Sequence, residues 1–380
     1  MFSKKVLTGM LAAIMALPLA GCGFFAPQGP HAPAELQDFE PLVKAKVSWS
    51  RNVGDNSGHL VPAVTDNAVY AAGENKVYRL DRNTGDEVWS VKTGADVTAG
   101  VGTDGNYLAV VTELGELEVY DAEGSLAWKV RLSAETQIAP LVGQGLVVVS
   151  TADTRVTAFD LITGQRAWHY QGQTAALTVN TFKQMCWSPA GILIGQANGR
   201  LLALGADGRV VFDAVIGQAH GITEVERLID VVGRPWVDQQ LMCASAYQGG
   251  VVCMGAMNGR PVWDTKVSAV TGPVSDAQLM YVVDEEGYIH AYNRYNGREA
   301  WVNTDFKYRE VAQPIRVGGT LAVADLEGVV SLLNPSNGLV VGRTALDGAV
   351  RAPAAQHGYG AIFQTVEGQV AYVLQESLED

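Results

Sequence analysis

The chain has 380 residues with a formal net charge of -13 at neutral pH; 48% are hydrophobic, only 18% are charged, and 42 are glycine. Such a length can bury a sizeable core, and the glycine content suits many tight turns rather than long helices. The acidic balance speaks against a nucleic-acid partner, since binders of that kind carry a basic patch.

In chain order, Lys4 and Lys5 precede an apolar run from Val6 to Leu19. That run is too short for a spanning helix, so residues 1–21 read as a signal peptide. It ends in Leu19-Ala20-Gly21-Cys22, which resembles the bacterial lipobox. The resemblance implies cleavage before Cys22 and lipidation of its thiol. A thioether lipid plus a palmitate-type acyl group on the new amine supplies more than one chain, enough for stable anchoring. Gly23 stands where an aspartate would mark retention at the inner membrane. The resemblance therefore points to the periplasmic face of the outer membrane. Residues 22–44, from the lipidated cysteine through Phe24-Phe25-Ala26-Pro27 to Pro41 and beyond, are Pro-rich and unpatterned. They read as a flexible tether.

From residue 45 onward one unit recurs with a period of about 40. A glycine is followed four positions later by an aromatic at Gly85/Trp89, Gly124/Trp128, Gly164/Trp168, Gly208/Phe212, Gly259/Trp263 and Gly297/Trp301, and the pattern degenerates at Gly338/Gly342. Each unit holds four short β-rich runs, A to D, bounded by turn residues. A period of that size with four strands is the mark of a β-propeller. Between C and D, Asp81-x-x-Thr84-Gly85 and Asp160-x-x-Thr163-Gly164 let the aspartate hydrogen-bond its own turn while glycine takes positive φ. The tryptophan then has a large ring with which to fill the gap against a neighbouring blade, contributing roughly 2–3 kcal/mol when buried.

A–B–C triplets fall near 60–81, 98–121, 138–160, 184–206, 236–255, 272–293, 312–334 and 352–374. The last has no D strand after it, while Ala45-Lys46-Val47-Ser48-Trp49 is a D strand with no triplet before it. The expectation is an all-β, eight-bladed propeller over 45–380, its ring closed by the N-terminal strand so that no sheet edge stays open.

Without Cys22, three cysteines remain: Cys186, Cys243 and Cys253. Placing the B–C turn of the fifth unit at Gln248-Gly249 sets Cys243 opposite Met254 and Cys253 opposite Ala244. The thiols then face opposite ways, so a hairpin disulfide is not expected. The six histidines lie far apart, and no zinc, nucleophile-elbow or phosphate-loop motif occurs. Gly100-Val101-Gly102-Thr103-Asp104-Gly105 matches a dinucleotide fingerprint, but strand-like Asn106–Thr112 follows it and no helix opens there.

Two D-to-A connections, Gly172–Lys183 and Gly217–Pro235, are about 4 and 11 residues longer than their counterparts. They belong to adjacent blades and emerge on one face, which is where binding tends to reside on a rigid scaffold. Thr223-Glu224-Val225-Glu226 reads as a capping box opening a short helix over about 224–232.

The Asp-x-x-Thr-Gly-x-x-x-Trp repeat resembles the blades of pyrroloquinoline-quinone (PQQ) dehydrogenases. Those enzymes imply a quinone, a calcium site, a catalytic aspartate and vicinal cysteines. This chain has no Cys-Cys pair and nothing outside the repeat to supply a substrate pocket, so neither an enzyme nor a cofactor is expected. Lipobox, tether and eight bare blades together resemble, over nearly the whole chain, the propeller lipoproteins of the outer-membrane β-barrel assembly machinery. That resemblance implies a non-catalytic scaffold bound to a periplasmic POTRA domain of the barrel-inserting subunit BamA, within the assembly complex, with unfolded barrel proteins as a further candidate partner. It places the contacts on the two long loops. A Leu-x-Leu-Arg segment corresponds to Leu177-Thr178-Val179-Asn180, which lacks the arginine, and an Asp-x-Asp corresponds to Asp230-Val231-Val232, which keeps one aspartate. The implied contact residues are Leu177, Val179, Asn180, Arg227, Leu228 and Asp230. The other readings are a PQQ-binding quinoprotein enzyme and a docking propeller for a different envelope complex.

Overall fold

The structure is a computed structural model that describes residues 32–378 apart from 174–177, 180, 219–221 and 224–226. The signal peptide and Cys22 lie outside the described residues. The chain forms eight four-stranded antiparallel sheets. Seven of them take four consecutive strands each, in spatial order A-B-C-D. In the eighth, Ala355–His357, Gly360–Gln364 and Gln369–Glu376 are completed by Lys44–Asn52 from the other end of the chain. That strand pairs from Lys44 opposite Glu376 to Asn52 opposite Gln369, with one bulge at Ser48. The eight-bladed ring and its closure are therefore as the repeat implies.

Packing follows the strand alternation. B strands such as Ala68–Gly73 and Leu241–Tyr247 are buried almost throughout, because each blade is covered on both sides. Eight buried clusters sit one between each pair of neighbouring blades, including Val77, Leu108 and Tyr120 between the first two and Val317, Val330 and Phe363 between the seventh and eighth. Outer D strands such as Arg166–Gln171 alternate exposed and half-buried.

The tryptophans join one blade to the next. Trp89 packs on the turn glycine of the following blade, Gly124, where an added Cβ would lie 3.1 Å from the ring. Trp128 on Gly164, Trp168 on Gly208, Trp263 on Gly297 and Trp301 on Gly338 repeat the contact. Each indole also donates to a carbonyl of that turn, as in Trp128 Nε1 to Leu161 O at 2.9 Å and Trp301 Nε1 to Pro335 O at 2.8 Å. Phe212 fills the same place against Gly259 without a donor. Trp49 docks on Gly85 and so joins the closing strand to the first blade.

The degenerate Gly342 now has a physical reason. An aromatic there would need the C–D turn of the eighth blade, and that blade has no such turn, because its C strand lies at the end of the chain and its D strand near the start. Backbone fills the space instead: Leu42 N and Val43 N both donate to Val341 O, at 2.9 and 3.1 Å. A Cβ on Gly342 would meet Val43 O at 2.9 Å.

The fifth blade corrects the cysteine reading. Its B–C hairpin pairs Ala246 with Gly250, which leaves three residues, Tyr247, Gln248 and Gly249, in the connection rather than two. Gln248 takes φ 51 to make the turn. This shift of one residue sets Cys243 directly opposite Cys253, and the two form a disulfide. Cys186 is free and buried.

Candidate functional site

The two long connections lead from the D strand Arg166–Gln171 to the A strand Cys186–Ser188, and from the D strand Val210–Val215 to the A strand Asp230–Val237. Leu177 and Asn180 lie outside the described residues. The described parts of both connections meet. Val179 N donates to Asp230 Oδ2 at 3.1 Å, and Lys183 Nζ donates to the same oxygen at 2.5 Å. A step further on, Gly233 N donates to Phe182 O at 2.6 Å and Gln184 N to Gly233 O at 3.1 Å. Segments about 50 positions apart in sequence are thus stitched side by side, as adjacent-blade geometry requires.

The structure assigns the implied contact residues unequal roles. Asp230 is fully buried, so its carboxylate holds the junction from within. Burial pushes its pKa above the usual carboxylate value, against the opposing pull of the Lys183 ammonium. Its second oxygen, Oδ1, is buried with no hydrogen-bond partner. Removing one member of such a pair is costly, because the other is left as an uncompensated charge out of water. Arg227 is exposed, Val179 and Leu228 are half-buried, and Ile229 is buried in the core between the fourth and fifth blades. The helix expected over 224–232 is not what forms at its C-terminal end. Asp230, Val231 and Val232 pair with Tyr247, Ala246 and Ser245 as a strand. The β-branched valines suit that ladder, and the B strand beside them needs a partner. Before it, Arg227 N donates to Thr223 O at 3.1 Å.

Lys183 was not singled out from the sequence. The available signal was its isolation, as the only charged residue from Gly172 to Met185. The register break between Val232 and Trp236 was also not legible. It lets Gly233, Arg234 and Pro235 bulge toward the ring axis, where Arg234 N reaches Gln313 Oε1 of the seventh blade at 3.4 Å.

Around the axis lies a cavity of about 650 Å3 lined by seven of the A strands and by Gln184 and Met185, just before the A strand of the fourth blade. Pro62, Pro140, Pro235, Pro273, Pro314 and Pro353 line it. A strands are inner edges, so a proline there forfeits no ladder bond and blocks unwanted pairing. Arg234 and Arg316 are the charged lining residues. Among the described residues no cluster of three or more His, Cys, Asp or Glu could hold a metal.

Comparison with known proteins agrees with this architecture. The family model for outer membrane protein assembly factor BamB matches residues 73–303. The chain is 34% identical over 374 residues to the outer membrane protein assembly factor BamB of Bordetella pertussis, covering 97% of this chain and 95% of the relative. It is 32% identical over 355 residues to that of Burkholderia pseudomallei, covering 92% and 93%. The crystal structure of BamB from Moraxella catarrhalis superposes with a TM-score of 0.80 at 26% identity, over 87% of this chain and 99% of that one. A quinohemoprotein alcohol dehydrogenase from Comamonas testosteroni shares the fold alone, with a TM-score of 0.68 at 12% identity, over 87% of this chain and 76% of that one. This chain belongs to the BamB family of outer membrane protein assembly factors, and is an assembly factor rather than an enzyme.

Proposed function

We propose that the propeller is a docking scaffold, held at the periplasmic face of the outer membrane by lipid on Cys22, that binds the POTRA region of BamA through the two long loops of its fourth and fifth blades. The observation that carries this reading is the junction at Asp230, where Val179 and Lys183 of one loop converge on the root of the other. A buried lock of this kind fixes the roots of the two connections against each other, which lowers the ordering cost of binding. Arg227, Val179 and Leu228 are the described residues offered to the partner, with Leu177 and Asn180 beside them in sequence. Asp230 acts by positioning them. BamA and its complex are the partners, and unfolded barrel proteins are a further class that the same scaffold could present.

The test is a pull-down of BamA from crosslinked envelopes. Arg227→Ala combined with Val179→Ala should weaken capture strongly while leaving thermal unfolding nearly unchanged. A matched pair in the A–B turns of the opposite face, Asn106→Ala with Asp66→Ala, should leave capture intact. Undiminished capture by the first, correctly folded variant would move the partner site elsewhere on the disc.

A further inference from the structure

The segment before the closing strand, expected as tether, is bound to the propeller along its length. Ala34 N donates to Lys307 O at 2.9 Å, and Ala34 O accepts from Arg309 Nη1 at 2.8 Å. Arg309 is itself buried, with Nε on Asp325 Oδ2 at 2.7 Å and Nη2 paired to Glu327. Leu36 packs against the core cluster between the sixth and seventh blades. Further along, Arg343 Nη2 donates to Gln37 O at 3.2 Å and the guanidinium lies 4.7 Å over the Phe39 ring. The Leu42 and Val43 amides then reach Val341 O.

These contacts define a direction. Lys307 and Arg309 lie in the connection from the D strand Glu299–Asn303 to the A strand Ile315–Val317, on the face that carries all D-to-A connections. Val341 lies near the start of the D strand Val340–Ala345, at the opposite face. The segment therefore runs antiparallel down the outer strand of the seventh blade, and Lys44–Asn52 returns along the eighth. The outer edge that it covers belongs to the one blade that lacks a docking aromatic.

We propose that residues 33–43 are a strap that caps this edge and fixes where the chain departs for its lipid: beside Arg309, on the same face as the two long loops. The membrane half of the proposal rests on the reading of Cys22 as lipidated. With the strap docked, only the eleven residues 22–32 separate the lipid from the propeller, a contour of at most about 36–40 Å. An undocked strap would double that reach and would free the disc to turn over. The docked strap thus keeps the loop face toward the bilayer and the opposite face away from it.

Two measurements on the full mature lipoprotein test this. Hydrogen exchange should show the Ala34, Leu42 and Val43 amides protected in the wild type. Arg343→Ala with Phe39→Ala should speed their exchange by about tenfold or more while the B and C strands stay protected. Fast exchange of 33–43 in the wild type would overturn the strap. In vesicles doped with acceptor lipid, dyes placed at Glu113→Cys and Asn106→Cys sit on opposite faces of the second blade. Energy transfer should be stronger from position 113 in the wild type and should even out in the strap variant. Equal transfer from both positions in a wild-type chain whose lipid is verified by mass would overturn the orientation. A Cys22 found without lipid would overturn the membrane half and leave the exchange result to decide the strap.

Discussion

Restoring the repeat at Gly342 should harm the protein. Six of the seven preceding positions in the pattern hold tryptophan and one holds phenylalanine, so a consensus argument favours Gly342→Trp and expects a gain of roughly 2–3 kcal/mol from the buried ring. The geometry argues otherwise. A Cβ at Gly342 would sit 2.9 Å from Val43 O and 3.1 Å from Val43 Cγ2, before any ring is added. Overpacking of this kind costs about 1–3 kcal/mol. Displacing Val43 also loses the Leu42 and Val43 bonds to Val341 O, at about 0.5–1.5 kcal/mol each. The eighth blade offers no C–D turn glycine and carbonyl to receive the indole, so nothing offsets these losses. The expected result is a destabilisation of about 2–6 kcal/mol, a large fraction of a typical domain's total. Urea unfolding followed by far-ultraviolet circular dichroism reads it as a lower midpoint. Trp301→Ala, in the interface one blade earlier, serves as the calibration and should lose about 3–5 kcal/mol. A midpoint for Gly342→Trp at or above the wild type would refute the seam argument.

Lys183→Ala should cost about 3–5 kcal/mol, because it leaves the buried Asp230 carboxylate unpaired, and Lys183→Met with Asp230→Leu should recover much of that in the same unfolding assay. His357 is buried in the closing blade, and desolvation, then the Arg82 guanidinium, hold its pKa below the usual histidine value. The unfolded chain therefore takes up the proton first as pH falls, so stability should decline below about pH 6.5, and His357→Gln should flatten that decline; an unchanged pH profile would contradict it. Peptide mapping without reductant should find one disulfide linking Cys243 and Cys253. Burial pushes the Cys186 thiol up to about 11, so Cys186 should resist alkylation at pH 8 until the chain is unfolded.

The ring was legible because its determinants are periodic. Each aromatic and the turn glycine of the next unit report one inter-blade contact, and the unmatched strand at Trp49 announces the closure. What escaped the reading depended on single residues or on non-periodic contacts. The hairpin at Tyr247–Gln248–Gly249 holds one residue more than a two-residue turn, and that alone reverses the facing of Cys243 and Cys253. The strap has no hydrophobic period, and its hold comes from Arg309 and Arg343, far away in sequence. The converging loops were visible as excess length. The inward aim of Asp230 was not, because a polar residue at a strand entrance looks exposed until its partner, Lys183, is brought beside it.

The central claim is that the loops of the fourth and fifth blades are where the assembly partner docks. Its most direct test is site-specific photocrosslinking in intact envelopes, with a photoreactive residue at Arg227 on the exposed loop and another at Asn106 on the opposite face. The account predicts a BamA adduct through its POTRA region from position 227 and none from 106. BamA adducts from 106 with none from 227, in chains that fold and reach the outer membrane, would contradict it.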